Sequence, residues 1–158
     1  MLITAKKIRD HLLQAKKTII VPHQNPDGDA IGSATALLEF MKQNNRPAEI
    51  FCVTPVHQKY SFVPHSHTVQ TNEKIILDRA VDTIVVLDSG DLRYAGIDKF
   101  IYNHTATIIN IDHHPTNENY GHYNLVIASA SSTTEVLYYL FQAINAPLNR
   151  NIATSLLT

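Results

Sequence analysis

The sequence predicts an α/β domain built on a mostly parallel, open sheet with helices on both faces. Short apolar, β-branched runs at residues 18–21, Thr83–Leu87 and 106–111 read as strands buried on both sides. Amphipathic stretches separate them, giving the alternation that parallel strands need for their crossovers. Each run also ends in polar residues able to do chemistry: His23, Asp27 and Asp29 after the first, Asp88 after the second, and Asp112, His113 and His114 after the third. Parallel strands share one carboxyl edge, where open α/β folds place their sites.

Composition narrows the choices. A chain of 158 residues with 44% hydrophobic and 17% charged residues suits one folded domain rather than two, and excludes a disordered chain. The formal net charge of −1 gives no broad basic footprint for nucleic acid, although a local groove stays open. Cys52 is the single cysteine, which excludes an internal disulfide and fits a reducing compartment. Neither a signal peptide nor a long apolar span is visible, so the expectation is a soluble, cytoplasmic protein with no membrane partner. A homodimer is possible but not indicated.

In chain order, residues 2–17 read as a surface helix with Ile8, Leu12 and Ala15 at helical spacing and lysines gathered at its C-terminal end. The first strand then runs into His23-Gln24-Asn25-Pro26-Asp27-Gly28-Asp29, a turn tight enough to aim both aspartates and the histidine at one centre. The plainer alternative is a solvated Asp-Gly turn in which one aspartate caps the next helix. That helix buries Ala30, Ala34, Leu37 and Met41, and its small residues Gly32 and Ser33 could leave N–H groups free for a phosphate.

Residues 48–53 predict a second strand. Residues 54–71 are irregular, and their His57, His65 and His67 are read as loop histidines rather than metal ligands, for want of nearby carboxylates. Residues 72–80 are expected to be helical. Asp88, ending the next strand, is either a helix cap or a site carboxylate. Asp112, His113 and His114 are hard to dismiss as core filling, since each buried polar group would need a partner; alternation along the backbone lets one histidine face a metal and the other a substrate oxygen. Residues 129–146 predict a long helix, with Ser132 and Glu135 at capping-box spacing; Ser131, Ser132 and Thr133 could instead serve a phosphate at the positive helix end. A last helix starts near Leu148 and runs to Thr158 without a stop signal, which suggests a chain cut inside or just after an element.

Stacked in this order, the elements describe a Rossmann-like, three-layer domain. Its carboxyl edge would gather up to four carboxylates, which repel unless protonated or met by cations. Two divalent ions about 3.5–4 Å apart, sharing Asp88, would supply that charge and suit phosphoryl chemistry. Mixed imidazole and carboxylate donors suit manganese, zinc or iron, whereas an all-oxygen set would suit magnesium or calcium.

The ordered motifs His23 to Ser33, Leu87-Asp88-Ser89-Gly90-Asp91 and Ile111-Asp112-His113-His114-Pro115 resemble those of the DHH phosphoesterases, named for the third. The resemblance covers nearly the whole chain. It implies that His23 and Asp27 bind one Mn2+, Asp29 and His113 a second, and Asp88 both, with Mg2+, Co2+ or Zn2+ possible in place of Mn2+. It places His114 beside the scissile phosphate and Asp112 behind it as the group that orients an imidazole. Ser33, Ser131, Ser132 and His114 are then the expected substrate contacts.

Within the family, Glu135-Val136-Leu137-Tyr138-Tyr139 and the serine-rich helix start resemble the branch of oligoribonucleases and pAp phosphatases. Members of that branch are usually longer. Residues 1–158 would accordingly be a catalytic domain incomplete at its C-terminus, lacking a fourth motif with another bridging aspartate and a small substrate-binding domain. The expected activity is divalent-metal-dependent hydrolysis of short oligonucleotides or 3′-phosphoadenosine 5′-phosphate, impaired in these residues alone. An inorganic pyrophosphatase and a non-catalytic nucleotide-binding or interaction domain are the alternatives. Long single-stranded DNA is disfavoured as a substrate, because no basic and aromatic track is visible.

Overall fold

A computed structural model of the chain describes residues 1–102 and 104–158. Five strands, β1 (Thr18–Pro22), β2 (Ala48–Ile50), β3 (Thr83–Leu87), β4 (Thr107–Asp112) and β5 (Tyr123–Val126), form a sheet in the order β2-β1-β3-β4-β5. Every neighbouring pair is parallel. Register then places the site: Pro22 lies opposite Leu87 and Leu87 opposite Ile111, so His23, Asp88 and Asp112 follow side by side at one edge.

Alternation along the strands divides the core in two. On one face Ile20, Val85 and Ile109 pack against α1 (Leu2–Gln14), α2 (Gly28–Gln43), α4 (Thr133–Ala143) and α5 (Arg150–Leu156). On the other, Ile19, Val21, Ile84, Val86 and Ile108 are covered by the short α3 (Asp98–Ile101), by Phe51, Ile76 and Ile97, and by connecting turns. Three layers result, with one helical face and one built mostly of turns. Among the described residues no helix is long and apolar enough to cross a membrane.

Several boundaries differ from the sequence reading. The helix expected over residues 72–80 is only a 3-10 turn, Glu73–Ile75. There the Asn72 side chain accepts from the Lys74 N–H and Asp78 from the Ala80 N–H, local bonds that compete with a helical ladder. The first helix stops at Gln14 rather than residue 17, because Asp82 captures the N–H groups of Lys16 and Lys17. The long helix expected from 129 begins at Thr133, with Ser132 as its cap. Strand β5 and helix α3 are additions that the sequence reading lacks.

Gly32 positions α5. A Cβ there would lie 2.3 Å from the Ser155 carbonyl oxygen, so only glycine lets α5 cross the early turns of α2 this closely.

Candidate metal centre

At the end of β1, buried His23 donates its Nδ1–H to the Gln24 carbonyl at 2.8 Å, since a carbonyl can only accept. In the neutral ring Nε2 then carries the lone pair, 3.7 Å from Asp27 Oδ1 and 3.5 Å from Asp88 Oδ2. Tyr94 stacks on the imidazole with centroids 4.9 Å apart and fixes the ring plane. Asn25 adopts the left-handed region at φ 53°, which asparagine tolerates, and the turn delivers Asp27 to the N-cap of α2, where it accepts the Ala30 N–H at 3.0 Å. Capping and membership of the cluster coincide in this aspartate.

Asp88 ends β3 with φ 58°, an unusual conformation for a non-glycine residue and one that concentrates at functional positions. It is 3% exposed and its two oxygens look both ways. Oδ2 faces His23, while Oδ1 accepts the Thr133 hydroxyl at 2.8 Å and lies 3.7 Å from His113 Nε2. Asp29, in the first turn of α2, is clamped by α4: its oxygens accept the Thr133 and Thr134 N–H groups at 2.7 and 2.8 Å, and Oδ2 lies 3.8 Å from His113 Nε2. The Thr133 N–H, which the sequence offered as a candidate donor to a phosphate, is engaged here with a carboxylate of this chain.

At the end of β4, His113 turns Nδ1 to the Ala130 carbonyl at 3.3 Å, again leaving Nε2 towards the carboxylates. His114 donates from Nδ1 to Asp112 Oδ1 at 2.7 Å. Fully buried Asp112 also accepts the His113 N–H and, on Oδ2, the Asn117 amide at 2.6 Å. Asn117 is tied in turn to Asn110, which is tied to Asn124. Sequence reasoning missed this asparagine chain; its one visible signal was Asn110 inside an apolar strand.

The other expected substrate contacts have partners within the chain. Ser33 is fully buried with its hydroxyl 3.5 Å from Asp29, a support for that carboxylate. Ser132 caps the Glu135 N–H, and Ser131 donates its N–H and hydroxyl to Glu135 Oε2, so both serines close the start of α4. His65 bonds Glu39 at 2.6 Å; neither it nor His57 or His67 joins a metal-like group among the described residues.

Electrostatics mark the cluster. Burial and the adjacent Asp88 charge raise the Asp29 carboxyl above the usual carboxylate range, despite its two N–H bonds. Burial also opposes ionisation of Asp88, but contacts from His23 and Thr133 outweigh it and hold the group low. His23 and His114 both rise: desolvation pulls each down, and the carboxylates Asp88 and Asp112 respectively overcome it. Among the described residues no lysine or arginine pairs with Asp27, Asp29, Asp88 or Asp112; imidazoles are their ion-pair partners.

Two groups could hold a metal ion, His23 with Asp27 and Asp88, and Asp88 with His113 and His114, the donor atoms of each lying within 4.8 Å of one another. Asp88 belongs to both. Oxygen and imidazole donors, lone pairs aimed inward and an excess of unpaired carboxylate fit a divalent ion. The second group has His114 where the sequence reading has Asp29, which stands next to His113 with both oxygens engaged by α4.

Comparison with known proteins agrees with this geometry. The chain is 31% identical over 140 residues to the bifunctional oligoribonuclease and PAP phosphatase NrnA of Thermus thermophilus, an alignment covering 88% of the chain and 40% of that relative. The chain thus spans about two fifths of the length of that protein. An exopolyphosphatase-related protein from Bacteroides fragilis superposes with a TM-score of 0.85 at 23% identity, over 92% of this chain and 45% of the other. RecJ of Thermus thermophilus in complex with Mn2+ shares the fold at a TM-score of 0.55 and 15% identity, over 92% of this chain and 21% of that one. The model of the DHH family, N-terminal domain, matches residues 17–158, and the chain belongs to that family.

Proposed function

We propose that this chain is the metal-binding catalytic domain of a phosphoesterase that hydrolyses short oligonucleotides or 3′-phosphoadenosine 5′-phosphate. The observation that carries the reading is Asp88, buried between two sets of inward-facing donors with no lysine or arginine, among the described residues, to meet its charge. The NrnA relative supports the substrate class, as its name records both activities. In this reading His23, Asp27 and Asp88 would hold one ion and Asp29, His113 and Asp88 a second, with Mn2+ preferred for its tolerance of mixed oxygen and nitrogen donors.

The ions, when bound, offset the carboxylates and supply Lewis-acid activation of water and phosphoryl oxygen. The protein's own residues do the rest. Carbonyls of Gln24 and Ala130 fix the tautomers of His23 and His113, so both Nε2 lone pairs stay available. Thr133 and Thr134 hold Asp29, and Thr133 also holds Asp88. Asp112 keeps His114 oriented, and the half-exposed His114 ring contacts a phosphoryl oxygen or passes a proton to the leaving group. The chain spans about two fifths of the NrnA relative, and in this reading a further segment supplies a bridging carboxylate and a small substrate-binding domain, so these residues alone are expected to be impaired.

The test is to assay the complete protein with Mn2+ on dinucleotides, 3′-phosphoadenosine 5′-phosphate, pyrophosphate and long single-stranded DNA, beside Asp29→Ala and His114→Ala. Turnover of the first two substrates, lost in both variants, is expected. Preference for pyrophosphate would overturn the substrate class, and wild-type turnover by Asp29→Ala would overturn the metal site.

A further inference from the structure

We propose that the cleft beside Asp27 is a subsite for the second phosphate of a nucleotide substrate, with Lys59 as its anion contact. The proposal rests on the metal-site reading, because it needs another phosphate to be held next door. The cleft measures about 410 Å³, within the range of small-molecule sites and suited to one nucleotide. One wall is the turn from Asn25 to Asp27; the other is formed by Pro55, His57, Lys59 and Tyr60. Asp27 is shared with the group containing His23 and Asp88, so the cleft opens onto the candidate metal centre.

Its walls are fixed before any ligand arrives. The Asn25 N–H donates to the Thr54 hydroxyl at 2.6 Å and ties the two sides together. The Tyr60 ring edge packs 3.6 Å from where a Cβ on Gly28 would lie, at the first turn of α2. Lys59 Nζ sits 4.7 Å from the centroid of that ring, a cation–π contact that holds the ammonium at the wall. Among the described residues Lys59 has no carboxylate partner, in contrast to Lys17 and Lys99. His57 Nδ1 accepts the Lys59 N–H at 3.1 Å, which leaves the His57 proton on Nε2 as a second donor.

A lone ammonium and a neutral N–H donor beside a site rich in carboxylates cannot compete for the metal-bound phosphate, yet suit an anion a short distance away. A second phosphate is what 3′-phosphoadenosine 5′-phosphate and 5′-phosphorylated dinucleotides have in common and inorganic phosphate lacks. Lys59 would thereby select substrates by their non-reacting end.

Equilibrium binding to the Mn2+-saturated chain tests this, using adenosine 3′,5′-bisphosphate and inorganic phosphate as probes. Lys59→Ala should weaken the bisphosphate about tenfold and inorganic phosphate less than about twofold, whereas Lys59→Arg should restore most of the affinity and Lys6→Ala on α1 should change neither. Equal affinity of wild type and Lys59→Ala for the bisphosphate, or equal losses for both probes, would overturn the subsite. Mn2+ titration of the wild-type chain without nucleotide checks the underlying reading separately: failure to bind Mn2+ overturns the metal centre and the subsite with it, whereas Mn2+ binding with no effect of Lys59→Ala overturns the subsite alone.

Discussion

The two edges of the sheet use the same residue types to opposite ends. At the amino edge Asp82 accepts the N–H groups of Lys16 and Lys17 and the Thr83 hydroxyl, and Lys17 Nζ bridges Glu49 at 2.7 Å and Asp78 at 3.2 Å. Each of these carboxylates has a cation or an N–H donor for its charge. At the carboxyl edge Asp27, Asp29, Asp88 and Asp112 converge with imidazoles as their ion-pair partners, and Asp29 is raised by burial and its neighbour. One edge closes the fold; the other retains an excess of negative charge that a divalent cation would meet. Electrostatic tension, rather than polarity as such, separates a site from a structural cluster.

Swapping the same atom pair at both edges gives the largest expected effect. Asp88→Asn should weaken Mn2+ binding about a hundredfold or more and cost the metal-free chain about 1 kcal/mol, because it weakens the contacts with His23 and Thr133 that hold Asp88 ionised, a loss partly offset by relieved repulsion with Asp29. Asp82→Asn should leave Mn2+ binding unchanged and cost about 1–2 kcal/mol of stability through weakened hydrogen bonds. Calorimetric Mn2+ titration and urea unfolding of both variants check this; a stability loss without a binding loss in Asp88→Asn would make the carboxyl edge structural too.

Gly32→Ala asks whether the tension at the carboxyl edge depends on the helices behind it. The added methyl would meet the Ser155 carbonyl, so α5 must shift, at an expected cost of about 1–3 kcal/mol in urea unfolding. Asp29 lies one turn before Gly32, and Mn2+ affinity should fall with it. Undiminished stability would show that α5 does not need this close approach.

Much of this contrast was legible in the sequence because it is written locally. Strands β1, β3 and β4 announce themselves by continuous β-branched runs, and the polar cluster after each identifies the edge once the strands are taken as parallel. Pairings between distant segments were not legible. Nothing near Asp29 signals that α4 will clamp it, and nothing near His23 signals the ring of Tyr94. Strand β5 has only four residues at the sheet's edge, with asparagine inside, and gives no strong apolar run. The helix wrongly expected over residues 72–80 had a helix-compatible composition, but Ile76 turns into the core while Leu77 stands 53% exposed, and Asp78 spends its side chain on a turn and on Lys17.

Asn117 offers a finer test, since it supports the carboxyl edge without belonging to either donor group. Asn117→Ala would remove the amide from Asp112 Oδ2 and loosen the carboxylate that orients His114. Turnover by the complete protein should fall about tenfold, with Mn2+ affinity nearly unchanged. An equal loss of Mn2+ binding would place the asparagine chain under the metal ligands instead.

The smallest effect comes from pH, and it separates the edges without mutation. Raised pKa values of His23 and His114 mean that, in the metal-free chain, their contacts with Asp88 and Asp112 contribute fully below the unfolded histidine value and are lost as pH rises through the folded ones. Asp29 acts in the same direction: its carboxyl is raised, so its ionisation beside Asp88 removes stability as pH increases. Mn2+ needs those donors free of protons, and its binding strengthens over the same interval. The melting-temperature gain on adding Mn2+ should therefore grow between about pH 6 and pH 8, the histidine window, by at least about 2 °C. The amino edge contributes nothing to that slope, because Lys17 is raised from an already basic value and Asp78 is lowered from an already acidic one. A gain that stays flat across the window would mean that His23 gives up no proton to the metal, and the carboxyl edge would then resemble the amino edge after all.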